Sequence, residues 1–444
     1  MSANSETGAI SVMAHDRRDN AITKYQSAAV FGASAVGAIS TLLATVVAKA
    51  ALHGAELTEF LLFWSLLFAL YTLPAGFYPE VVRAVGSQHI REKQGHPGKA
   101  RIIMISAVFG LGITALVGVS AVWWGATQLV SHTWLSIAII CVSVMFYFIG
   151  STMYAASAGR GKWYQHAALL GSEPLIRLLL IVIVYIMAGS LIHMEIAAAL
   201  PVATWVFFLI LSKDARRTLL VRADVSASKF VKNAFFATVA SVFIGVLITG
   251  FPNILKVSQG HDLIYEQQAQ LSIIILAILI CRAPIIFPLT AIQSIAIKAF
   301  VEKRDSVFRA LAKPFILLLM VGLLGGLLAW LIGPFLFRFI YPPRPDEVVI
   351  YAAIVDGKTL ALLVTASVFM AMLTLTGTLA IARAHHKTYL LGWAVAAAVA
   401  VFILFMPLEV MQRVFFSLYA GPFTGVACHV LILLRLRQKM SRCR

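Results

Sequence analysis

The chain has 444 residues, of which 60% are hydrophobic and only 12% are charged, and its formal net charge is +17. This composition excludes a soluble globular protein, in which about a quarter of the residues are charged. Binding of nucleic acid would need a basic face on a folded soluble domain, and the apolar sequence leaves no room for one, so no nucleic-acid partner is expected. The composition therefore predicts a polytopic membrane protein.

Long apolar runs follow one another along the whole chain. A bilayer core about 30 Å thick takes roughly 20 helical residues, so uncharged stretches of that length predict transmembrane spans. The first half offers runs at 25–48, 60–79, 102–159 (two spans with a turn near 125–132), 166–194 and 196–212. The second half offers runs at 233–255, 267–297, 314–337, 359–382, 388–408 and 414–434. The sequence therefore predicts an all-α integral membrane protein with about 12 transmembrane helices.

A polar island at 213–232 separates the two halves and holds six basic and two acidic residues. Two six-span halves give the hydropathy symmetry expected of transporters that rock two bundles around a central cavity. The predicted organisation is a cytoplasmic N-terminal tail (1–24), a first bundle (25–212), a basic cytoplasmic linker (213–232), a second bundle (233–436) and a basic cytoplasmic tail (437–444).

The distribution of lysine and arginine predicts the orientation of the spans. With the N-terminus inside, the inner segments hold 28 of these residues and the outer segments hold 6, while two lie within spans. Because cytoplasmic loops carry the excess of basic residues, both termini are predicted to be cytoplasmic. The first 20 residues are polar, so the first span is expected to act as the insertion signal. The expected location is the cytoplasmic (inner) membrane.

Arg282 lies midway along the eighth predicted span, with Pro284 and Pro288 shortly after it. An ionisable residue at membrane depth is costly and normally faces the protein interior, and proline frees carbonyl groups that need partners. Two interpretations stay open. Arg282 is either a fixed cation that holds an anionic headgroup in a central cavity, or a structural arginine bound to a carbonyl or an acid.

Glu173 and Arg177 form a second charged group, in the fifth predicted span. Glu173 precedes Arg177 by four residues, which is the favourable order for an ion pair on one helix. The pair is expected either to neutralise itself or to offer the Arg177 guanidinium to a phosphate. Glu173 is also the only acid that the predicted spans place well inside the first half.

Three further basic residues lie at predicted membrane edges. Arg83 follows Glu80 by three residues at the inner end of the second span and is read as a topology anchor or a residue of substrate entry. Lys49 and Lys256 lie at the outer ends of the first and seventh spans. Each is expected to snorkel to the surface, with binding of a phosphate on the outer side as the alternative.

Motifs for cofactor chemistry are missing from the sequence. There is no Walker A loop, no HExxH motif and no glycine-rich nucleotide turn, and the four cysteines show no metal-ligand spacing. We therefore expect no cofactor, no metal and no enzymatic activity. The outer connections are short, which argues against the alternative of a membrane polymerase or ligase acting on lipid-linked sugars.

Three stretches resemble the polysaccharide-export (O-antigen and lipid-linked oligosaccharide) flippases of the multidrug/oligosaccharidyl-lipid/polysaccharide exporter superfamily. The first runs from Leu57-Thr58-Glu59-Phe60 to Pro79-Glu80-Val81-Val82-Arg83. The second runs from Ala158-Gly159-Arg160-Gly161-Lys162 to Arg177, and the third is Ile332-Gly333-Pro334-Phe335. The resemblance implies two six-helix bundles around a V-shaped cavity, in which Arg282 and Arg177 hold a pyrophosphate.

The resemblance also implies a function, which is translocation of polyprenyl-pyrophosphate-linked oligosaccharide to the outer leaflet by alternating access. The expected partners are this glycolipid, the lipid bilayer and polysaccharide polymerase machinery. A cation-coupled multidrug exporter of the same architecture is the alternative. Multidrug extruders of the superfamily usually carry an acid in or near the first span, and the first span here has none.

Overall fold

The computed structural model describes residues 23–260, 263–282, 307–383 and 385–442. Within these ranges the chain is helical, and its one β-type contact is an isolated antiparallel bridge between Arg101 and Arg222. Eleven described helical segments are long and apolar enough to cross a membrane. The predicted all-α membrane architecture is thus confirmed, and the chain is a multi-pass membrane protein.

The first half contains six of these segments. Two of them are interrupted by a short 3-10 turn, and each turn begins with the residues Leu-Pro. The helices run over Lys24–Ala51, Gly54–Tyr71 with Tyr78–Lys93, Ile102–Gln128, Thr133–Gly159, Trp163–Ile186, and Leu191–Ala199 with Thr204–Leu211. A short polar helix, Lys213–Leu219, follows them in the linker.

The second half contains the other five of these segments and the helix 265–282. Its helices run over Ala227–Ile248 with Phe251–Gln259, 265–282, Val307–Ile340, Gly357–Ala382, His386–Leu404 and Val410–Arg442, with Val348–Ile354 as a short helix before the tenth span. The prolines predicted to follow Arg282 lie outside the described residues. We call the end of the bundle that carries the linker the linker face, and the other end the opposite face.

Each half has two pairs of helices that pack most extensively. In the first half the first span packs along the fifth and the third along the fourth, and in the second half the eleventh packs along the twelfth and the ninth along the tenth. Small residues make these approaches possible: a Cβ at Gly392 would lie 2.1 Å from Nε2 of His429. In a membrane, close van der Waals packing of this kind holds helices together, because lipid offers no hydrophobic driving force.

The boundary between the fifth and sixth spans differs from the prediction. The apolar run was expected to continue to Met194, but the fifth helix ends at Ile186. Ala188 turns the chain with a φ of 51°. Ser190 then starts the next helix by a capping box with His193. The predicted boundary is wrong because this reversal is made of residues that are themselves apolar or small.

The two halves meet chiefly along the second and seventh spans. The Thr72 hydroxyl donates to the carbonyl of Ser241 (3.1 Å), and the Ser241 hydroxyl donates to the carbonyl of Leu73 (3.1 Å). At Gly76 a Cβ would lie 2.3 Å from Cα of Thr238, so the two backbones touch at this point. This seam lies toward the linker face. The first half and the second half are joined again at the opposite face.

Candidate functional site

A cavity of about 360 Å³ lies within the first half, between the second, fourth and fifth spans. We call it the tyrosine cavity, because aromatic side chains form most of its wall. Its volume lies in the range of small-molecule sites, which are mostly apolar with a few polar groups. The lining side chains are Tyr71, Pro74, Ala75, Tyr78, Tyr147, Ser151, Tyr154, His166 and Leu170.

Tyrosine rings in this cavity are held in fixed positions by one another. Tyr71 and Tyr147 stack with ring centroids 4.0 Å apart and planes 13° apart, and Tyr154 meets Tyr147 edge-on at 6.4 Å. His166 places Nδ1 3.0 Å from the carbonyl oxygen of Tyr154. Such rings offer flat apolar faces to a ligand, and their hydroxyl groups both donate and accept hydrogen bonds.

Glu173 and Arg177 lie beside the cavity and form the ion pair that their spacing predicts. Nη2 of Arg177 lies 2.6 Å from Oε1 of Glu173, and the Tyr154 hydroxyl donates to Oε2 of Glu173 at 3.2 Å. The Arg177 side chain is 2% exposed, and its Nε donates to the carbonyl of Ala198 at 2.7 Å. Its guanidinium also lies over the ring of Phe68, with Cζ 5.0 Å from the centroid. The predicted ion pair is present and adds no net charge to the cavity, and contact of Arg177 with a phosphate stays a prediction.

Arg282 lies apart from the tyrosine cavity, in the second half. It is 7% exposed, and its Nη1 and Nη2 donate to the carbonyls of Ile248 and Leu247, the second at 3.5 Å. These carbonyls belong to the last turn of a helix, where a cation interacts favourably with the helix dipole. The pocket at Arg282 holds only about 10 Å³. The geometry is that of a structural arginine, and contact with a substrate stays a prediction.

Arg83 connects the second span to the start of the second half. Its Nη2 lies 2.7 Å from Oε1 of Glu80, as the spacing predicts, and its Nη1 lies 3.2 Å from Oδ2 of Asp224. Glu80 also accepts a hydrogen bond from the side chain of Asn233 at 2.9 Å. Arg83 therefore belongs to an ion-pair group at the seam between the halves, and a role in substrate entry stays a prediction.

Lys49 does not snorkel, so that expectation is wrong. Its side chain is 3% exposed and forms an ion pair with Glu347, which is 2% exposed and lies in the connection after the ninth span. Arg344 adds two hydrogen bonds at the same place: its Nη2 donates to the carbonyls of Lys49 and Leu52, both at 2.5 Å. The Thr45 and Tyr341 hydroxyl oxygens lie 2.8 Å apart nearby. These bonds join the two halves at the opposite face.

Lys256 is also buried, with 7% of its surface exposed, and donates to the carbonyl of Gly260 at 3.2 Å. Its amine is therefore held at the end of its own helix, and the snorkelling expectation is wrong here as well. Binding of phosphate by Lys49 or Lys256 stays a prediction.

Two buried acids of the first half were missed by the sequence reasoning, which placed Glu173 alone there. Glu195 is completely buried and accepts a hydrogen bond from Ser136 at 2.5 Å, while its other oxygen has no partner among the described residues. Glu59 is 7% exposed, accepts two hydrogen bonds from Ser131, and interacts electrostatically with Glu195. Both acids lie at the ends of apolar runs, so the hydropathy pattern placed them in the connections between spans.

The described residues contain no group of three or more histidine, cysteine, aspartate or glutamate side chains placed to hold a metal ion. The buried histidine of the twelfth span, His429, is instead engaged by Thr376 and the carbonyl of Tyr389, at 2.9 and 3.1 Å.

Comparison with known proteins identifies the family. The uncharacterized protein Rv1510 of Mycobacterium tuberculosis is 30% identical over 380 residues, which cover 85% of this chain and 84% of that protein. The chain belongs to its family. The uncharacterized proteins Rv3630 of Mycobacterium tuberculosis and Mb3654 of Mycobacterium bovis are 29% identical over 416 residues, covering 94% of this chain and 93% of each of them. No protein-family model matches the chain.

Solved structures show the fold of this chain. An inward-facing multidrug resistance MATE family transporter of the MOP superfamily matches with a TM-score of 0.68 and 14% identity, over 91% of this chain and 96% of that one. An outward-facing structure of such a transporter matches with a TM-score of 0.64 and 13% identity, over 94% and 99%. A MOP superfamily transporter from Pyrococcus furiosus, described by the reverse polarity of its binding pocket, matches with a TM-score of 0.65 and 14% identity. The match covers 94% of this chain and 95% of that one. The chain has the MATE transporter fold, and these neighbours are transporters.

Proposed function

We propose that the chain is an alternating-access flippase that moves a polyprenyl-pyrophosphate-linked oligosaccharide across the cytoplasmic membrane. The observation that carries this proposal is the tyrosine cavity with the neutralised Glu173–Arg177 pair beside it. An uncharged cavity walled by tyrosine rings and hydroxyl groups suits a sugar, which presents apolar C–H faces and many hydroxyl groups. A glycan held there can keep its lipid tail in the bilayer.

Alternating access follows from how the halves are joined. At the opposite face the Lys49–Glu347 ion pair and Arg344 close the two halves on each other. For a cargo to leave on that side these bonds have to break, while the seam of the second and seventh spans has to yield for entry from the linker face. The similar folds of inward-facing and outward-facing MATE transporters support such a cycle.

The pyrophosphate of the cargo needs cationic partners, because burial of an unpaired anion is costly. Arg177 and Arg282 are the partners that the flippase resemblance implies. In the described conformation both guanidinium groups already donate to protein oxygens. Under this proposal the cargo takes over some of those bonds during transport. The bilayer and polysaccharide polymerase machinery remain the further expected partners.

A cation-coupled multidrug exporter is the second candidate, and a specific observation favours it. Tyrosine rings attract organic cations through their faces, and Glu173 supplies a carboxylate beside them. The Pyrococcus furiosus transporter is described by a binding pocket of reversed polarity. Its description supports inferring the cargo of such a transporter from the residues of its cavity and not from its fold. The pairing of Glu173 with Arg177 removes the net negative charge that a cation would need.

Reconstitution tests the two candidates side by side. Purified protein in proteoliposomes is supplied either with a fluorescent polyprenyl-pyrophosphate oligosaccharide or with a cationic dye under an imposed proton or sodium gradient. We expect the glycolipid to become accessible in the opposite leaflet and the dye to stay where it was added. Transport of the dye alone, abolished by Glu173→Gln, would assign the chain to the multidrug exporters.

A further inference from the structure

A second cavity, of about 450 Å³, lies on the linker face of the first half. It opens between the end of the helix Tyr78–Lys93, the turn after the fourth span, and the linker. Three arginine guanidinium groups and one glutamate carboxylate line the cavity, so it carries a net positive charge. The polar or exposed residues of its lining include His89, Glu92, Arg160, Arg217, Leu220 and Arg222. We call it the basic pocket.

The linker wall of this pocket is built into the first half. Two backbone hydrogen bonds of 2.8 Å pin Ala223: the N–H of Lys99 donates to its carbonyl, and its own N–H donates to the carbonyl of Ala100. Ala223 is fully buried. Gly98 allows the close approach, since a Cβ there would lie 2.5 Å from Cβ of Arg222. The linker, expected as a connector, thus forms a fixed surface.

Arg160 and Arg217 keep their guanidinium groups available. Neither side chain forms a hydrogen bond or an ion pair with another residue in the described part of the chain. Asp214, an acid outside the lining, is already paired with Lys162 at 2.7 Å. The hydrogen bond and charge of Lys162, followed by the charges of Arg217 and Arg160, lower the pKa of Asp214. Arg222 donates one weak bond, to the carbonyl of Gly98 at 3.4 Å.

We propose that the basic pocket binds a phosphate group through Arg160, Arg217 and Arg222. The three positive charges repel one another, and a bound anion offsets this repulsion. The guanidinium group also matches the geometry of phosphate oxygens and binds them with paired hydrogen bonds. Leu220, which is 78% exposed, lies at the rim of the pocket and offers an apolar contact beside the charges. The phosphate belongs to a membrane lipid headgroup or to a soluble compound. The proposal does not depend on the identity of the cargo.

The test compares two triple variants of the full chain with equal loss of charge. Arg160→Gln, Arg217→Gln and Arg222→Gln remove the pocket, whereas Arg91→Gln, Lys213→Gln and Lys229→Gln remove three exposed basic residues that do not line it. Native mass spectrometry measures retention of phosphatidylglycerol against phosphatidylcholine in lipid nanodiscs. Calorimetry measures the binding of inorganic pyrophosphate to the same samples.

We expect the pocket variant to lose about tenfold or more of one of these affinities and the surface variant to keep it. Loss of phosphatidylglycerol retention assigns the pocket to a lipid headgroup, and loss of pyrophosphate binding assigns it to a soluble phosphate. An equal loss in both variants, or no binding of either probe to the unaltered chain, would overturn the proposal. If the triple pocket variant unfolds, the single variant Arg160→Gln is compared with Lys213→Gln in the same binding measurements, and the same outcomes decide.

Discussion

Lys49 and Glu347 form a buried ion pair although 298 residues separate them and they belong to different halves of the molecule. Both side chains are almost completely shielded from solvent, and Lys49 also lies 5.7 Å from the centroid of the Tyr351 ring. A charge left alone in such a place is far more costly than the pair is stabilising. The pair therefore favours the state that is closed at the opposite face.

The first prediction concerns this closure. Glu347→Gln leaves the Lys49 ammonium buried without its counter-charge, at a cost of about 3–5 kcal/mol to the closed state. We expect a cysteine placed at Thr45, in a chain otherwise free of cysteine, to react faster with an impermeant maleimide added from the opposite face. The exchanged pair Lys49→Glu with Glu347→Lys should restore slow labelling. Unchanged labelling in Glu347→Gln would show that the pair does not hold the halves together.

The contrast between this pair and Glu173–Arg177 shows what the sequence can predict. A pair four residues apart on one helix follows from helical geometry alone, and the structure contains it. The partner of Lys49 depends on how the first span packs against the connection after the ninth, and one sequence holds no local signal for that distance. For the same reason the complete burial of Glu195, at the end of an apolar run, was not predicted.

A second prediction addresses the charged pair beside the tyrosine cavity. Arg177→Met leaves the Glu173 carboxylate mostly buried without its cation and should lower stability by about 3–5 kcal/mol. Thermal unfolding of the purified variant in detergent measures the loss. The double variant Glu173→Gln with Arg177→Met should regain part of it, because no charge remains. Additive losses in the double variant would mean that the two residues act separately.

A third prediction concerns the stacked rings. Tyr147→Leu removes the stack with Tyr71 and one hydroxyl from the cavity wall. We expect a fall of about tenfold or more in transport, from lost stacking and a lost hydrogen bond, with an unchanged amount of protein in the membrane. The control is Tyr185→Leu, on the same helix as Glu173 but 47% exposed. Equal activity of the two variants would exclude the cavity as the glycan site.

A fourth prediction concerns acid conditions at the opposite face. A hydrogen bond from the Tyr265 hydroxyl lowers the pKa of the Asp346 carboxyl below its usual range. A lowered pKa in the folded state stabilises the protein above the ordinary aspartate pKa of about 3.9, and this contribution is lost as the pH falls through the lowered value.

Tyr265→Phe should therefore make unfolding begin at a higher pH during acid titration. Tyr164→Phe, at a tyrosine that is 58% exposed, serves as the control. Near pH 7 Tyr265→Phe should be less stable than the unaltered chain, and this difference should vanish as the pH falls through the lowered pKa. Identical acid transitions in the two variants would contradict the assignment.

Fold class was the most predictable feature, since apolar runs of span length depend only on composition along the chain. The tyrosine cavity was not predicted, because its tyrosine rings come from two spans that are far apart in the sequence, and neither span is unusual in its own sequence. The arginines of the basic pocket were counted in the sequence as signals of membrane topology. Their arrangement around one cavity depends on the linker folding back to pair with residues 99–100.

The most direct test of the proposed flippase is mass spectrometry of polyprenyl-linked glycans, sorted by leaflet accessibility, in cells depleted of this protein. We expect a complete oligosaccharide repeat unit to accumulate on the cytoplasmic leaflet and this pool to clear when the protein is restored. A normal distribution of glycolipid between the leaflets, together with altered drug sensitivity, would contradict it.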